Sequence, residues 1–340
     1  GYFPAIVFFQ CVFHKRIHRT PGDTVPVDSL VKYALEENDG REVTYARYWH
    51  GYLTVLKPLL LFFTPADIRL LNMTVQFLLV ALVLMLAYKR SGLSLTLPLG
   101  AAILCINPVS TALCLQYTDV YVLTLIFEII LLFFRTDKKS HGYLLYLWLG
   151  ISIAFFDFLT YPLISLGFLL ITEIMLCDET LLAKLKRMLL NSSVWFIGYG
   201  GMWAGKWILA TLFTEQNVIQ NALGSIQERT SSSVDSVGFS LFQVFKRNIQ
   251  VYVNPSVELL LVLLFIGLLY LLCIQKRKPC LRAAILIPLL LCSMYPVVWT
   301  CLLANHSMIH PHMTYRNFTV SFMAIGCAIA SCFPQKTQES

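Results

Sequence analysis

The sequence predicts an all-α protein: a polytopic transmembrane helix bundle of about eight or nine spans, with a short interfacial helix and an extracytoplasmic helical loop. Composition is the first observation. The chain is 57% hydrophobic and 13% charged, against about 25% charged in a soluble globular protein, and its mean hydropathy is +0.68. Periodic punctuation is the second: apolar windows recur along the chain, and the connections between them alternate in Lys and Arg content. In such a chain a net charge of +7 marks basic loops at one membrane face, so no nucleic-acid partner is expected.

Residues 1–68 read as an extracytoplasmic N-terminal segment. The chain begins with GYFPAIVFFQCVF, too short to span, and HKRIHR follows at once. Basic residues after the apolar run are not a signal-peptide pattern, and a fragment that has lost an N-terminal helix is expected. The run 51–63, bracketed near its end by Pro58 and Pro65, reads as an interfacial or re-entrant helix. Spans are expected near 69–88, 92–108, 119–134, 143–157, 161–177 and 194–213, a bundle over 69–213. An extracytoplasmic amphipathic loop covers 214–256. C-terminal spans near 257–275, 283–304 and 317–333 make a second group, 257–333, before a cytoplasmic tail at 334–340.

Lys89 and Arg90 follow the first span. Arg135, Lys138 and Lys139 follow the third, Lys184, Lys186 and Arg187 the fifth, and Lys276, Arg277, Lys278 and Arg282 the seventh. Those connections are expected to be cytoplasmic. The segments dense in His, Asp, Arg and Tyr then share the outer face: YARYWHGY (45–52), QYTD (116–119), FFDFLTYP (155–162), the loop 214–256 and NHSMIHPHMTYRN (305–317).

Arg47 suits a bidentate hold on phosphate, and His50 a proton or hydrogen bond to a ligand. Tyr45, Tyr48, Trp49 and Tyr52 also fit an aromatic belt at headgroup level. Asp157, among Phe155, Phe156, Phe158 and Leu159, is expensive near a membrane unless partnered, so it is either functional or satisfied by a neighbouring Tyr, Thr or Arg. Asp119 can act as a base or simply N-cap the third span. Glu128 and Lys206 lie near mid-span and are candidates to pair; Lys206 alternatively reaches outward to an anion. In GYGGMWAGKW, Gly201 and Gly205 form GxxxG beside Gly198 and Gly200, a close-packing pattern.

His306, His310 and His312 give H-x3-H-x-H, but Pro311 interrupts any helix and no Cys or acid triplet is near. No metal or other cofactor is expected, with a divalent cation as the alternative. HPHMTYR suits an anion and hydroxyl reader better: Arg316 on phosphate, His306 and Tyr315 on polar groups. In 214–256, Val218, Ile219, Ala222, Leu223 and Ile226 repeat at helical spacing, as do Phe242, Phe245, Ile249 and Tyr252; ERTSSSVDS between them reads as a turn. Such helices either cover a site or form a surface hairpin. The ten cysteines lie mostly in apolar runs and form no CxxC pair, so they read as small core hydrophobes. GxxxxGK[ST], GxGxxG and GxSxG are all absent, and the halves show no repeat.

YARYWHGYLTVLKPLL, DIRLLN (67–72), FFDFLTYPLI (155–164), GYGGMWAGKW (198–207) and HPHMTYRNF (310–318) together resemble a family of uncharacterised multi-pass membrane proteins of gut and other Gram-positive bacteria, over residues 20–330. The architecture resembles the GT-C glycosyltransferase superfamily: many spans, a short helix parallel to the membrane and an outward-facing site. That resemblance implies an enzyme of the bacterial cytoplasmic membrane that transfers sugar from a polyprenyl-phosphate-linked donor to a glycan acceptor in cell-envelope polysaccharide assembly. The acid that such enzymes carry in an early outer loop has no match among the acids of 23–42. Asp157 is then expected as base or orienter, with His50 and Asp119 as further catalytic candidates. Arg316, Arg47 and Lys206 are expected at the phosphate, and Tyr48, Trp49, His306, His310 and Tyr315 at the substrate. A transporter or flippase for lipid-linked saccharides is the alternative, with Asp157, Glu128 and Lys206 along its path.

Overall fold

The computed structural model describes residues 15–17, 35, 42–134, 142–234, 236–252 and 281–332. The expected span 257–275, the connections 135–141 and 276–280 and the tail 334–340 lie outside them. The described chain is all-α apart from two small antiparallel pairs, β1 (Lys15–Ile17) with β2 (Glu42–Thr44) and β3 (Ser233–Val234) with β4 (Val237–Gly238).

A short helix α1 (Leu53–Leu60) turns through an exposed corner, Leu61, Phe62 and Phe63, into α2 (Pro65–Ser91). Thr64 and Asp67 form a capping box at the start of α2, with Pro65 at its first position. The chain continues through α3 (Leu93–Cys105), α4 (Pro108–Leu113), α5 (Thr118–Phe134), α6 (Gly142–Phe156), α7 (Leu163–Leu176) and α8 (Leu181–Phe213). Two helices follow in the expected loop, α9 (Val218–Arg229) and α10 (Leu241–Ile249). Then come α11 (Ala283–Ser293), α12 (Tyr295–Leu302), the short α13 (Ala304–Ile309) and α14 (Pro311–Thr314), and α15 (Thr319–Ser331).

The segments Pro65–Ser91, Leu115–Phe134 and Ala283–Leu302 are long and apolar enough to cross a membrane, which marks an integral membrane protein. Helices α3, α6 and α7 are apolar but shorter; at 13–15 residues they reach about 20 Å, against a hydrocarbon core of about 30 Å. Helix α8 has the length, but Lys184, Lys186, Arg187 and Lys206 dilute its apolar character. Hydropathy windows merged such short helices with the turns beside them. Breaks at Gly92, Asn107 and Pro162 shorten the expected spans.

Helix α7 is the axis of the bundle. Every residue from Leu163 to Ile174 is buried, and α7 touches α2, α3, α5, α6, α8, α11 and α15. A helix apolar on every side belongs inside. Helix α2 is the opposite case, with Leu70, Phe77, Leu78 and Met85 exposed. The tightest crossing joins α6 to α8. A Cβ on Gly150 would meet the Trp195 carbonyl oxygen at 2.3 Å, and one on Gly198 would meet that of Leu147 at 2.5 Å. The expected GxxxG contact is therefore corrected: Gly201 and Gly205 face open space, and the backbones meet at Gly198. Glu128 and Lys206 do not pair either. Glu128 accepts from Thr172 Oγ, and the Lys206 ammonium sits 5.3 Å from the Trp49 ring centroid.

The described connections fall into two groups; those at 135–141 and 276–280, on which the charge alternation also rests, lie outside the described residues. At the basic end, Arg90 donates to the Leu132 and Phe133 carbonyls (2.8 and 3.0 Å), Lys184 to Ile174 O (2.9 Å), and Arg187 to Glu173 (3.3 Å). These cations finish the C-termini of α5 and α7, where the helix dipole favours positive charge. At the other, polar end lie 45–52, 106–118, 157–162, 214–252 and 303–318. Arg316 Nε donates to Ile106 O (3.0 Å), Tyr252 Oη to Tyr315 O (2.8 Å), and His306 bonds Leu159 O (2.7 Å).

Candidate functional site

The polar end holds a cavity of about 410 Å³, within the usual range for ligand sites. One wall is α8, whose Tyr199, Trp203 and Trp207 recur every fourth residue on one face. Trp299 and Leu302 of α12 and the adjoining Leu303 face it. Arg47, Tyr48 and Leu159 close the inner end. Helix α9 roofs it with Ala222, Ser225, Ile226 and Arg229, spaced along one helical face. On the side between α8 and α12, the lining residues Gly200 and Leu302 are exposed, Leu302 to 61%, and Ile226 above them to 43%. That exposed side borders α12, part of the apolar segment Ala283–Leu302.

Its polar groups are few and basic. Arg47 Nη1 donates to Ser225 Oγ, and its guanidinium lies 5.8 Å from the Tyr48 ring centroid. Trp207 Nε1 donates to Arg47 O at 3.2 Å and fixes that stretch of backbone. Arg229 Nη2 donates to Tyr48 Oη at 3.4 Å, and its Nη1 meets His306 Nδ1. Tyr48 therefore stands between two guanidiniums. Among the described residues, no Asp or Glu lines the cavity.

The stretch 45–52 is a turn and not a helix. His50 adopts φ 53° and is buried, with Nε2 3.1 Å from Tyr45 O and its ring 5.1 Å from Phe158. Gly51 makes the turn possible. Its N–H donates to Phe155 O at 2.9 Å, and a Cβ there would sit 2.4 Å from the Phe155 ring. Trp49 is buried and donates to Met202 O at 2.8 Å. His50, Trp49 and Lys206 build the floor and do not line the cavity.

Asp157 lies one residue beyond α6, buried beneath the turn that presents Leu159. Its oxygens accept from Thr160 N (3.0 and 3.2 Å), Thr160 Oγ, and the Phe158 and Leu159 backbone. Burial raises its pKa to about 6 against the pull of these bonds. The donors fill its lone pairs, and Asp157 caps a turn in which Leu159 adopts φ 67°. Asp119, in the first turn of α5 and half-buried, has no hydrogen-bond or ion-pair partner among the described residues and feels the Asp157 charge.

Arg316 is also placed differently from the expectation. Its guanidinium donates to Ile106 O (3.0 Å), His312 O (2.6 Å) and Ser110 Oγ (2.6 Å), between the rings of Tyr117 and Tyr315 (4.1 and 4.6 Å). Tyr315 is buried and donates to Ile106 O at 3.3 Å. Both join α3 to the 310–318 segment, away from the cavity. His306, His310 and His312 stand in a row, with ring centroids 5.0 and 5.9 Å apart. Burial lowers the pKa of each, that of His306 to about 3 with Arg229 adding to the effect. Among the described residues no three His, Cys, Asp or Glu are placed to hold a metal ion.

Of the expected site residues, Arg47 and Tyr48 line the cavity. Arg229, Ser225, Trp203, Trp207 and Trp299 were not expected there. The Tyr199–Trp203–Trp207 spacing was a readable signal. Arg229 was hidden because ERTSSSVDS reads as a turn, whereas α9 continues through Arg229 before the hairpin begins. Helix α9 does cover the cavity. Helix α10 does not: Val244 and Asn248 dock it, Asn248 donating to Ser307 O at 2.9 Å and accepting from Thr314 Oγ at 2.6 Å, while Phe242 stays exposed. Comparison with protein families, curated proteins and solved structures finds no match to this chain.

Proposed function

We propose that the chain acts on a polyprenyl-phosphate-linked sugar at the extracytoplasmic face of the bacterial cytoplasmic membrane, and transfers the sugar to a glycan acceptor. One observation supports this: a cavity walled by Tyr199, Trp203, Trp207 and Trp299, with exposed residues along one side, that also carries Arg47 and Arg229. A lipid phosphate has the matching parts, an apolar chain that leaves through the opening and an anionic head that guanidiniums bind through paired N–H groups. The Trp and Tyr faces suit a sugar ring. The basic end at Arg90 and Lys184–Arg187 would face the cytoplasm and leave the cavity outside. In the transfer step the acceptor oxygen bonds to the anomeric carbon, the bond from that carbon to the phosphate oxygen breaks and polyprenyl phosphate leaves; the proton of the acceptor hydroxyl goes to Asp119, which stands outside the cavity lining and takes it in its ionised form. Asp157 shapes the turn between them.

A second reading is a flippase that carries the same ligand without chemistry, since among the described residues only neutral and basic side chains line the cavity. Proteoliposomes holding the full chain and a polyprenyl-phosphate sugar separate the two. Sugar transfer that Asp119→Asn abolishes supports the enzyme. Movement of the labelled lipid between leaflets without transfer supports the flippase. Failure to bind the lipid phosphate at all removes both.

A further inference from the structure

The imidazole of His306 is 3% exposed, and both its nitrogens are engaged. Nε2 lies 2.7 Å from the Leu159 carbonyl oxygen, which can only accept, so Nε2 carries the proton. Nδ1 is then a bare lone pair, and it faces Arg229 Nη1, which can only donate. A neutral ring with its proton on Nε2 satisfies both partners at once. The Leu159 carbonyl reaches this position because Leu159 adopts φ 67° in the turn that Asp157 caps. Both ends of the bridge are therefore built. Arg229 in turn lines the cavity, and its Nη2 reaches Tyr48 Oη. It is the last residue of α9, a helix otherwise tied down near here by Arg47 on Ser225.

We infer that His306 is a positioning residue for anion recognition: it touches no ligand, and it aims the Arg229 guanidinium at the phosphate of a lipid-linked substrate. This rests on the lipid-phosphate reading above. A phosphate oxygen would sit among Arg229, Arg47, Ser225 Oγ and Tyr48 Oη, groups that all border the cavity. Without the Nδ1 acceptor, a guanidinium on a helix end swings among rotamers, and the ordering cost falls on the ligand.

Farnesyl phosphate, with farnesol as the uncharged control, tests this on the purified full chain. The affinity ratio of phosphate to alcohol reads the anion contact alone. His306→Phe, which keeps a ring but no acceptor, should lower that ratio about tenfold, as loss of one charge-assisted bond does. His306→Gln should restore it, since its amide can both donate to Leu159 O and accept from Arg229. In an Arg229→Ala background His306→Phe should add nothing, because both act through one guanidinium. An unchanged ratio in His306→Phe, or an equal fall in the Arg229→Ala background, overturns the inference while the lipid-phosphate reading stands. If wild type prefers farnesyl phosphate no more than farnesol, that reading fails. Nitrogen NMR of wild-type His306 decides independently of any variant's folding: a neutral ring protonated at Nε2 at pH 7 supports the bridge, and an Nδ1-protonated or charged ring overturns it.

Discussion

Arg316 and Arg229 lie at the same end of the bundle in opposite surroundings. Arg316 is buried, and its three donating nitrogens reach Ile106 O, His312 O and Ser110 Oγ between tyrosine rings. Arg229 is half-buried on a cavity wall, steadied by one imidazole and one phenol. The first arginine ends α3 and fixes the 310–318 segment. The second has donors left over for a ligand. A guanidinium carries five N–H groups, and what it does depends on how many the protein itself already uses. The same contrast recurs on α8, where Gly198 is closed by the Leu147 backbone and Gly200, two residues on, opens into the cavity.

The largest effect expected from this contrast is on folding. Arg316→Ala should lower stability by about 3 kcal/mol or more, since it strands several buried acceptors at about 1–3 kcal/mol each. Thermal unfolding of the purified protein measures it. A variant as stable as wild type that has lost lipid-phosphate affinity would make Arg316 a ligand residue after all.

Acid comes next. The neutral His306 that holds Arg229 has its pKa lowered from 6.5 to about 3 in the folded protein. Its contribution to stability is therefore whole above pH 6.5 and is lost as pH falls toward 3, at no more than about 1.4 kcal/mol per pH unit. Melting temperature measured from pH 7 to pH 4 should fall less steeply in His306→Gln than in wild type. Parallel curves would show that folding leaves the His306 pKa at its ordinary value.

Smaller effects divide the two glycines. Gly198→Ala should cost about 1–3 kcal/mol, because a rigid carbonyl occupies the Cβ position. Gly200→Leu should leave the melting temperature within a few degrees and block prenyl-phosphate binding, because its side chain enters the opening. Destabilisation by both, or by neither, breaks the comparison. Arg47→Ala should weaken prenyl-phosphate binding by about tenfold with little change in melting temperature, a loss that titration against wild type detects. Equal affinity would leave Arg229 alone at the phosphate.

Much of the architecture was written in the order of residues. Apolar windows mark the helices, because a backbone in lipid must satisfy its own hydrogen bonds. The spacing of Lys and Arg predicted connections at two ends, and among the described residues Arg90, Lys184 and Arg187 gather at one of them. The expected first span began at 69, whereas the capping box of Thr64 and Asp67 starts α2 at Pro65. The apolar repeat from Val218 predicted α9, and the cavity lies beneath it. Which polar side chain is engaged and which is left over was a different kind of question. Asp157, Arg316 and His306 look like ligand groups in sequence because charge near a membrane is costly. The partners that offset the cost of the two arginine-side groups lie far along the chain, Ile106 for Arg316 and Leu159 for His306, and only packing brings them together. Arg229 looks like a loop residue until α9 folds back over α8 and α12. Periodicity reports which face of a helix is apolar. It carries no record of which donors will still be unused once the helices meet, and that remainder decides where a ligand can bind.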